Sequence, residues 1–196
     1  MIQIAVALFV FFAGSPLALA GPLHDAAREG DLEKARALIG EGAVIDAQSD
    51  RGETPLILAI LAGNDAIAEL LVEKGAAIDG RDAGGFTPLH AAAYAGDPAA
   101  AELLIDHGAD VNAKSELLVT PLHAAAEEDH ADVVTILIAR GALLDAKEAG
   151  GYTPLTRATL KQRTDVMVLL KRNGAECQSA DVTSKAVHSI CAAAGS

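Results

Sequence analysis

The chain has 196 residues, of which 51% are hydrophobic and 3% aromatic, with no Trp and a formal charge of -12. That hydrophobic share excludes disorder by composition, and 27 acidic against 15 basic residues argue against nucleic acid or an anionic membrane surface as the main ligand, because both would be repelled at long range. The length suits one or two ordinary domains or one core covering most of the chain, and the shortage of aromatics means that this core is filled by something other than ring bulk.

Residues 1–20 carry no Asp, Glu, Lys or Arg, run apolar from Ile4 to Ala13, break at Gly14-Ser15-Pro16 and end in Ala18-Leu19-Ala20. This layout predicts a secretory signal peptide cleaved before Gly21, since the apolar run is shorter than the roughly 20 residues a spanning helix needs. A retained membrane anchor is the other reading. Cleavage leaves the charge at -12 and removes Phe9, Phe11 and Phe12, so Phe86, Tyr94 and Tyr152 are the aromatics of the mature chain.

From Gly21 onward the chain repeats. Pro22, Pro55, Pro88, Pro121 and Pro154 stand 33 residues apart and each is followed by Leu, while Gly42, Gly75, Gly108, Gly141 and Gly174 keep the same spacing and are each followed by Ala. Thr54-Pro55, Thr87-Pro88, Thr120-Pro121 and Thr153-Pro154 place a hydroxyl cap before Pro at the first helical position, where its missing N–H costs nothing. Gly63 and Gly96 then break the chain. Asp97-Pro98 starts a second helix by the same logic, and in the preceding unit Ile67, Leu70 and Leu71 form the apolar stripe of its second helix. Gly75 and Gly108 end these second helices in the left-handed conformation that Gly adopts cheaply. One helix pair cannot bury its stripe alone; stacking buries it against the next. The expected architecture is an all-α repeat solenoid of five units starting near residues 21, 54, 87, 120 and 153 and running to 177, then a capping segment over 178–196.

The runs Thr87-Pro88-Leu89-His90-Ala91-Ala92 and Leu103-Leu104-Ile105-Asp106-His107-Gly108-Ala109-Asp110-Val111-Asn112-Ala113 resemble the ankyrin repeat consensus, and five copies cover Gly21 to about Cys177. Departures fall where an array ends or turns. Unit one lacks the Thr before Pro22, unit five has Thr156-Arg157 where His-x is usual, and Leu118 stands where Gly52, Gly85 and Gly151 occupy the hairpin turn of the other units.

Past the fifth unit, Asp181 to Ala194 places Val182, Ala186, Val187, Ile190 and Cys191 on one face and reads as a single helix closing the stack. Cys177 occupies the slot of Ile45, Ile78, Val111 and Leu144 and is expected beneath that helix. Two cysteines in an exported chain point to a Cys177–Cys191 disulfide closing a loop of about 15 residues, with two buried free thiols as the alternative.

Candidate chemistry is sparse. His24, His90 and His123 recur at one motif position, but stacked helices lie about 8–10 Å apart, too far for shared zinc ligation at about 2.0–2.1 Å; hydrogen bonds at the turn are their expected role. Glu127-Glu128-Asp129-His130 reads as a solvated acidic ridge and not as a metal site, since no second element supplies ligands. No HExxH, G-x-S-x-G, Walker or dinucleotide fingerprint is present, and Gly84-Gly85 and Gly150-Gly151 read as hairpin tips. No catalytic residue, metal or cofactor is expected.

In the family that the chain resembles, ligands dock on the side formed by hairpin tips and the exposed face of the first helices. By repeat position this side carries Leu61, Phe86, Tyr94, Leu117, Val119 and Tyr152, an apolar stripe over units two to five, with Glu127 and Glu128 beside it favouring a partner with a basic edge. The expected function is a non-enzymatic protein-interaction module, monomeric and exported to the periplasm of a Gram-negative cell, that binds one or more protein partners and neither nucleic acid nor, after cleavage, membrane. A periplasmic inhibitor or immunity protein neutralising a toxic effector is the alternative reading, and a metal-binding or enzymatic protein a remote one.

Overall fold

The computed structural model describes residues 21–194, so the signal segment expected over 1–20 lies outside the described residues. Five helix pairs follow one another: α1 (Pro22–Glu29) with α2 (Leu32–Gly40), α3 (Pro55–Leu61) with α4 (Asp65–Glu73), α5 (Pro88–Ala95) with α6 (Pro98–Asp106), α7 (Pro121–Glu128) with α8 (Ala131–Ala139), and α9 (Pro154–Leu160) with α10 (Thr164–Arg172); a single helix, α11 (Lys185–Ala193), comes last. The first helices of the pairs pack in a row from α1 to α9, the second helices form a parallel layer from α2 to α10, and α11 lies against α9. This is an all-α repeat solenoid.

The helix starts follow the sequence signals. Thr54 Oγ1 accepts from the Ile57 N–H at 3.3 Å and Thr153 Oγ1 from that of Thr156 at 3.3 Å, and Asp97 Oδ1 caps the Ala100 N–H at 3.0 Å. The core is aliphatic. Leu56, Leu89, Leu122 and Leu155 from the first helices and Leu71, Leu104, Leu137 and Leu170 from the second are fully buried, each contributing roughly 1.5–3 kcal/mol. Ala59, Ala92, Ala125 and Ala158 have no exposed surface and let neighbouring first helices approach closely. Leucine fill between alanine contacts thus replaces aromatic bulk.

Three ladders of polar contacts link neighbouring units, the first of them skipping unit two, where Ile57 stands at the histidine position. In the first, the Thr87 N–H and hydroxyl meet His90 Nδ1 at 3.1 and 2.9 Å, and Nε2 donates to the Val119 carbonyl at 2.9 Å; His24 and His123 reach Glu53 and Tyr152 carbonyls in the same way at 3.2 and 3.1 Å. In unit five, where Thr156 replaces the ring, Gln178 takes over, its Oε1 accepting from the Thr153 N–H at 3.2 Å and its Nε2 donating to the Gly151 carbonyl at 2.8 Å. The second ladder joins the loops: Asp46, Asp79, Asn112 and Asp145 each accept, through Oδ1, a backbone N–H 31 residues further on.

The third ladder runs backward from the residue that precedes each second helix. Asn64 Nδ2 donates to the Ala27 carbonyl at 2.7 Å, His130 Nε2 to that of Tyr94 at 3.0 Å and Arg163 Nε to that of Glu127 at 2.8 Å. Asp97 holds the same slot with an acid side chain in place of a nitrogen donor. Its Oδ2 is buried without a hydrogen-bond partner, and partial burial together with the neighbouring Asp97 carboxylate pushes the Asp65 pKa above the ordinary carboxylate value. Asp97→Asn keeps the Oδ1 cap and adds the missing donor, so it is expected to raise stability by about 1 kcal/mol at neutral pH, read as a higher urea midpoint; an unchanged or lower midpoint would contradict this account of the slot.

The hairpin tips are linked in series by the Ala83 N–H to the Arg51 carbonyl at 2.9 Å, Glu116 to Gly84 at 3.0 Å and Ala149 to Leu117 at 2.8 Å. Gly85 has a φ of +76°, and a Cβ there would sit 2.9 Å from the Glu116 nitrogen, so only Gly fits this approach. Leu118 takes the equivalent turn position at φ 59°, and the hairpin survives it: the Leu118 N–H donates to the Ser115 carbonyl at 2.9 Å and the Ser115 N–H to that of Val119 at 2.9 Å. A left-handed Leu costs roughly 1–2 kcal/mol, and Gly returns about 0.5–1 kcal/mol of that as chain entropy. Because the Leu118 side chain is exposed, Leu118→Gly is expected to stabilise the fold by about 0.5–1 kcal/mol, visible as a rise in Tm.

The capping segment departs from expectation. α11 begins at Lys185, where Ser184 Oγ caps the Val187 N–H at 3.2 Å, and not at Asp181. Its expected buried face is largely open, with Val182 and Ile190 48% and 46% exposed and Cys191 alone buried; the turn and bend over residues 180–183 put Val182 outside the helical register. The sulfurs of Cys177 and Cys191 are bonded at 2.06 Å, and Cys177 is only half-buried beneath α11. Lys171 Nζ donates to the Cys191 and Ala192 carbonyls at 3.0 and 3.2 Å, closing the C-terminal end of α11.

Candidate protein-interaction site

The side formed by the hairpin tips and the first helices carries an apolar groove. Ile57 and Leu61 from α3, Ala91 and Tyr94 from α5 and Ala124 from α7 line it, and Phe86 from the tip before α5 closes one edge, around a space of about 240 Å³. Leu61 is 43% exposed and Tyr94 59%. Phe86 is half-buried because its ring stands perpendicular to that of His90, with centroids 5.3 Å apart. Its backbone is fixed by Asp82 Oδ1, which accepts the Phe86 N–H at 2.9 Å and the Gly84 N–H at 2.8 Å. The groove is therefore prebuilt: its ring edge rests on a hydrogen-bonded turn, and its two most exposed side chains project from helices.

Not every residue expected on this side joins it. Leu117 is 64% exposed on the next tip and extends the apolar surface, but Val119 is 4% exposed and offers nothing to a partner. The N–H of Val119 donates to Ser115 Oγ, and its carbonyl accepts from Ser115 and His90; from a backbone drawn in by these bonds a valine is too short to reach the surface. Leu118, turned outward by its left-handed backbone, is exposed in its place.

Tyr152 is half-buried in a separate, charged depression with Leu160, Glu127, Glu148, Arg157 and Lys161. Arg157 bridges Glu127 and Glu148, and Lys161 Nζ lies 3.0 Å from Glu127. Burial alone would raise the pKa of Glu127, but the Lys161 hydrogen bond and the Arg157 and Lys161 charges outweigh it and hold the carboxyl below its ordinary range. Glu127 is thus a neutralised member of an ion-pair network, not part of a solvated acidic ridge. His130, expected on the same ridge, is spent on the Tyr94 carbonyl, and Glu128 is half-buried at the end of α7. Among the described residues no group of three or more His, Cys, Asp or Glu side chains could hold a metal ion, and no helix is long and apolar enough to cross a membrane.

Sequence reasoning missed the pairing partners Arg157 and Lys161 and the donor series Asn64, His130 and Arg163. The second was visible as a 33-residue register, whereas the first required knowing which faces of α7 and α9 meet.

Residues 23–115 match a family model described as ankyrin repeats in three copies, and residues 104–158 one described as ankyrin repeats in many copies. The chain belongs to the ankyrin repeat family. Ankyrin repeats generally mediate protein–protein interaction and form a non-enzymatic module. No curated protein is similar enough to this chain to count as a match. Within the ankyrin framework the groove over α3, α5 and α7 is the surface where Leu61, Phe86 and Tyr94 come together.

Proposed function

We propose that this ankyrin repeat protein is an exported, monomeric binding module that takes a protein partner into the groove of Leu61, Phe86 and Tyr94, with Leu117 extending the contact. The observation that carries the reading is the convergence of these side chains on one apolar groove, two of them exposed, with aromatics of the kind enriched at interfaces. Export to the periplasm is supported by the leader-like composition of residues 1–20 and by the cysteine pair. A charge of -12 favours a partner that tolerates or prefers an acidic surface.

The test is affinity capture from a periplasmic extract with the mature protein and with a Leu61→Ala, Tyr94→Ala variant, the bound proteins being identified by mass spectrometry. Both side chains are exposed, so the variant keeps its fold. Truncating two central anchors costs about 1–2 kcal/mol each, so a partner captured by the parent is expected to bind the variant at least tenfold more weakly. Equal recovery by both proteins would overturn the assignment of the groove.

A further inference from the structure

Among the described residues, and so in the exported chain proposed above, on which this inference rests, one end of the stack is bare. Pro22 is exposed and Leu38 and Ala43 are half-buried, whereas Pro55, Leu71 and Ala76, one repeat further on, are buried against the preceding helix pair. A depression of about 420 Å³ opens on this N-terminal face beside Leu23, Leu38 and Ala43. The other end is covered: α11 lies on α9, where the first helix of a sixth unit would stack. That cover buries little of its own surface. It is held by the Cys177–Cys191 bond, by Lys171 at its C-terminal end and by His188 Nδ1 against the Gln178 carbonyl at 2.9 Å.

We propose that the Cys177–Cys191 disulfide is the stop of a head-to-tail self-association: when a dithiol reduces it, α11 leaves α9 and the bare N-terminal face of a second copy of this chain stacks there. The occupant follows from continuity with the interface already present. At every joint from α1·α3 to α7·α9, the surface that covers a pair is the N-terminal face of the next pair, and the face around Pro22, Leu38 and Ala43 is that same surface without its neighbour. Such a contact joins two different surfaces and does not close on itself, so it lengthens the array. Blocking either end suffices to keep the chain monomeric, which accounts for one open end and one covalently fastened end.

The chemistry balances. A thiolate of the dithiol attacks the sulfur of Cys177, the more exposed of the two cysteines; the S–S bond breaks and Cys191 leaves as a thiolate that takes up a proton. The second thiol of the reductant then attacks the mixed disulfide and frees Cys177. The protein gains two electrons and two protons while the dithiol becomes a disulfide.

The test is sedimentation velocity of the mature protein, beginning at Gly21, over a range of concentrations, oxidised and in dithiothreitol, alongside a Cys177→Ser, Cys191→Ser variant and a Pro22→Glu variant. Glu is favoured in the first turn of a helix and Pro22 is exposed, so Pro22→Glu charges the open face without breaking α1. The oxidised chain is expected to keep one mass at all concentrations. The reduced chain and the double Ser variant are expected at least to double their mean mass as concentration rises, and reduced Pro22→Glu to remain monomeric. The proposal is overturned if the reduced chain keeps its monomer mass, if the amides of α11 stay protected from hydrogen exchange after reduction, or if Pro22→Glu associates as strongly as the parent.

Discussion

His90→Ala is expected to lower unfolding stability by about 3–5 kcal/mol, a large share of the 5–15 kcal/mol that holds a typical domain. The ring accepts from Thr87 through Nδ1 and donates to Val119 through Nε2; its loss strands a buried N–H and a buried carbonyl at about 1–3 kcal/mol each and leaves a cavity. Because the Thr87 N–H points at Nδ1, that atom must be bare, and a proton added there faces a donor. Burial pushes the pKa of both His90 and His123 below the usual 6.5. As pH falls through 6.5, the unfolded chain therefore binds protons before the folded one, and stability present above 6.5 is lost progressively down to the lower folded-state values. Urea midpoints measured from pH 7.5 to pH 5 should fall for the parent and fall less for His90→Ala. A flat profile for the parent would contradict the neutral, hydrogen-bonded histidine.

Replacing both cysteines, Cys177→Ser with Cys191→Ser, is expected to remove about 3 kcal/mol, the loop-closure contribution of a bridge spanning roughly 15 residues. The loss should be local. In a stack where each unit touches only its neighbours, the end that loses its fastening opens first, so at concentrations where the variant is monomeric hydrogen exchange should quicken throughout α11 and then α9 and α10 while α3 to α6 keep their protection. Since Cys191 is the buried residue of α11, few other contacts oppose that opening. Uniform loss of protection along the whole chain would instead mark the stack as a single cooperative unit.

The parts of this protein that were legible in its sequence are those that repeat. Pro-Leu starts and Gly-Ala stops recur every 33 residues, and one local rule read five times is hard to misread. Where the period ends, the reading weakens: an apolar pattern from Val182 to Cys191 promised a buried face, yet a turn shifts Val182 out of register and the bridge does the fastening that packing was expected to do. At the candidate site, repeat position places Leu61, Phe86 and Tyr94 on one side, where they line one groove, but it could not tell an outward side chain from an inward one. Val119 turns in because its backbone is consumed by Ser115 and His90, and Glu127 is neutralised by Arg157 and Lys161 from a unit 30 or more residues away. Such outcomes depend on contacts between units, which a single-repeat reading does not contain.

The most direct test of the binding role is to titrate the isotope-labelled protein with the captured partner and follow its amide and methyl resonances. Changes centred on Leu61, Phe86, Tyr94 and Leu117, with α4, α6 and α8 unaffected, are the expected result. Changes confined to the second-helix layer, with the groove silent, would contradict it.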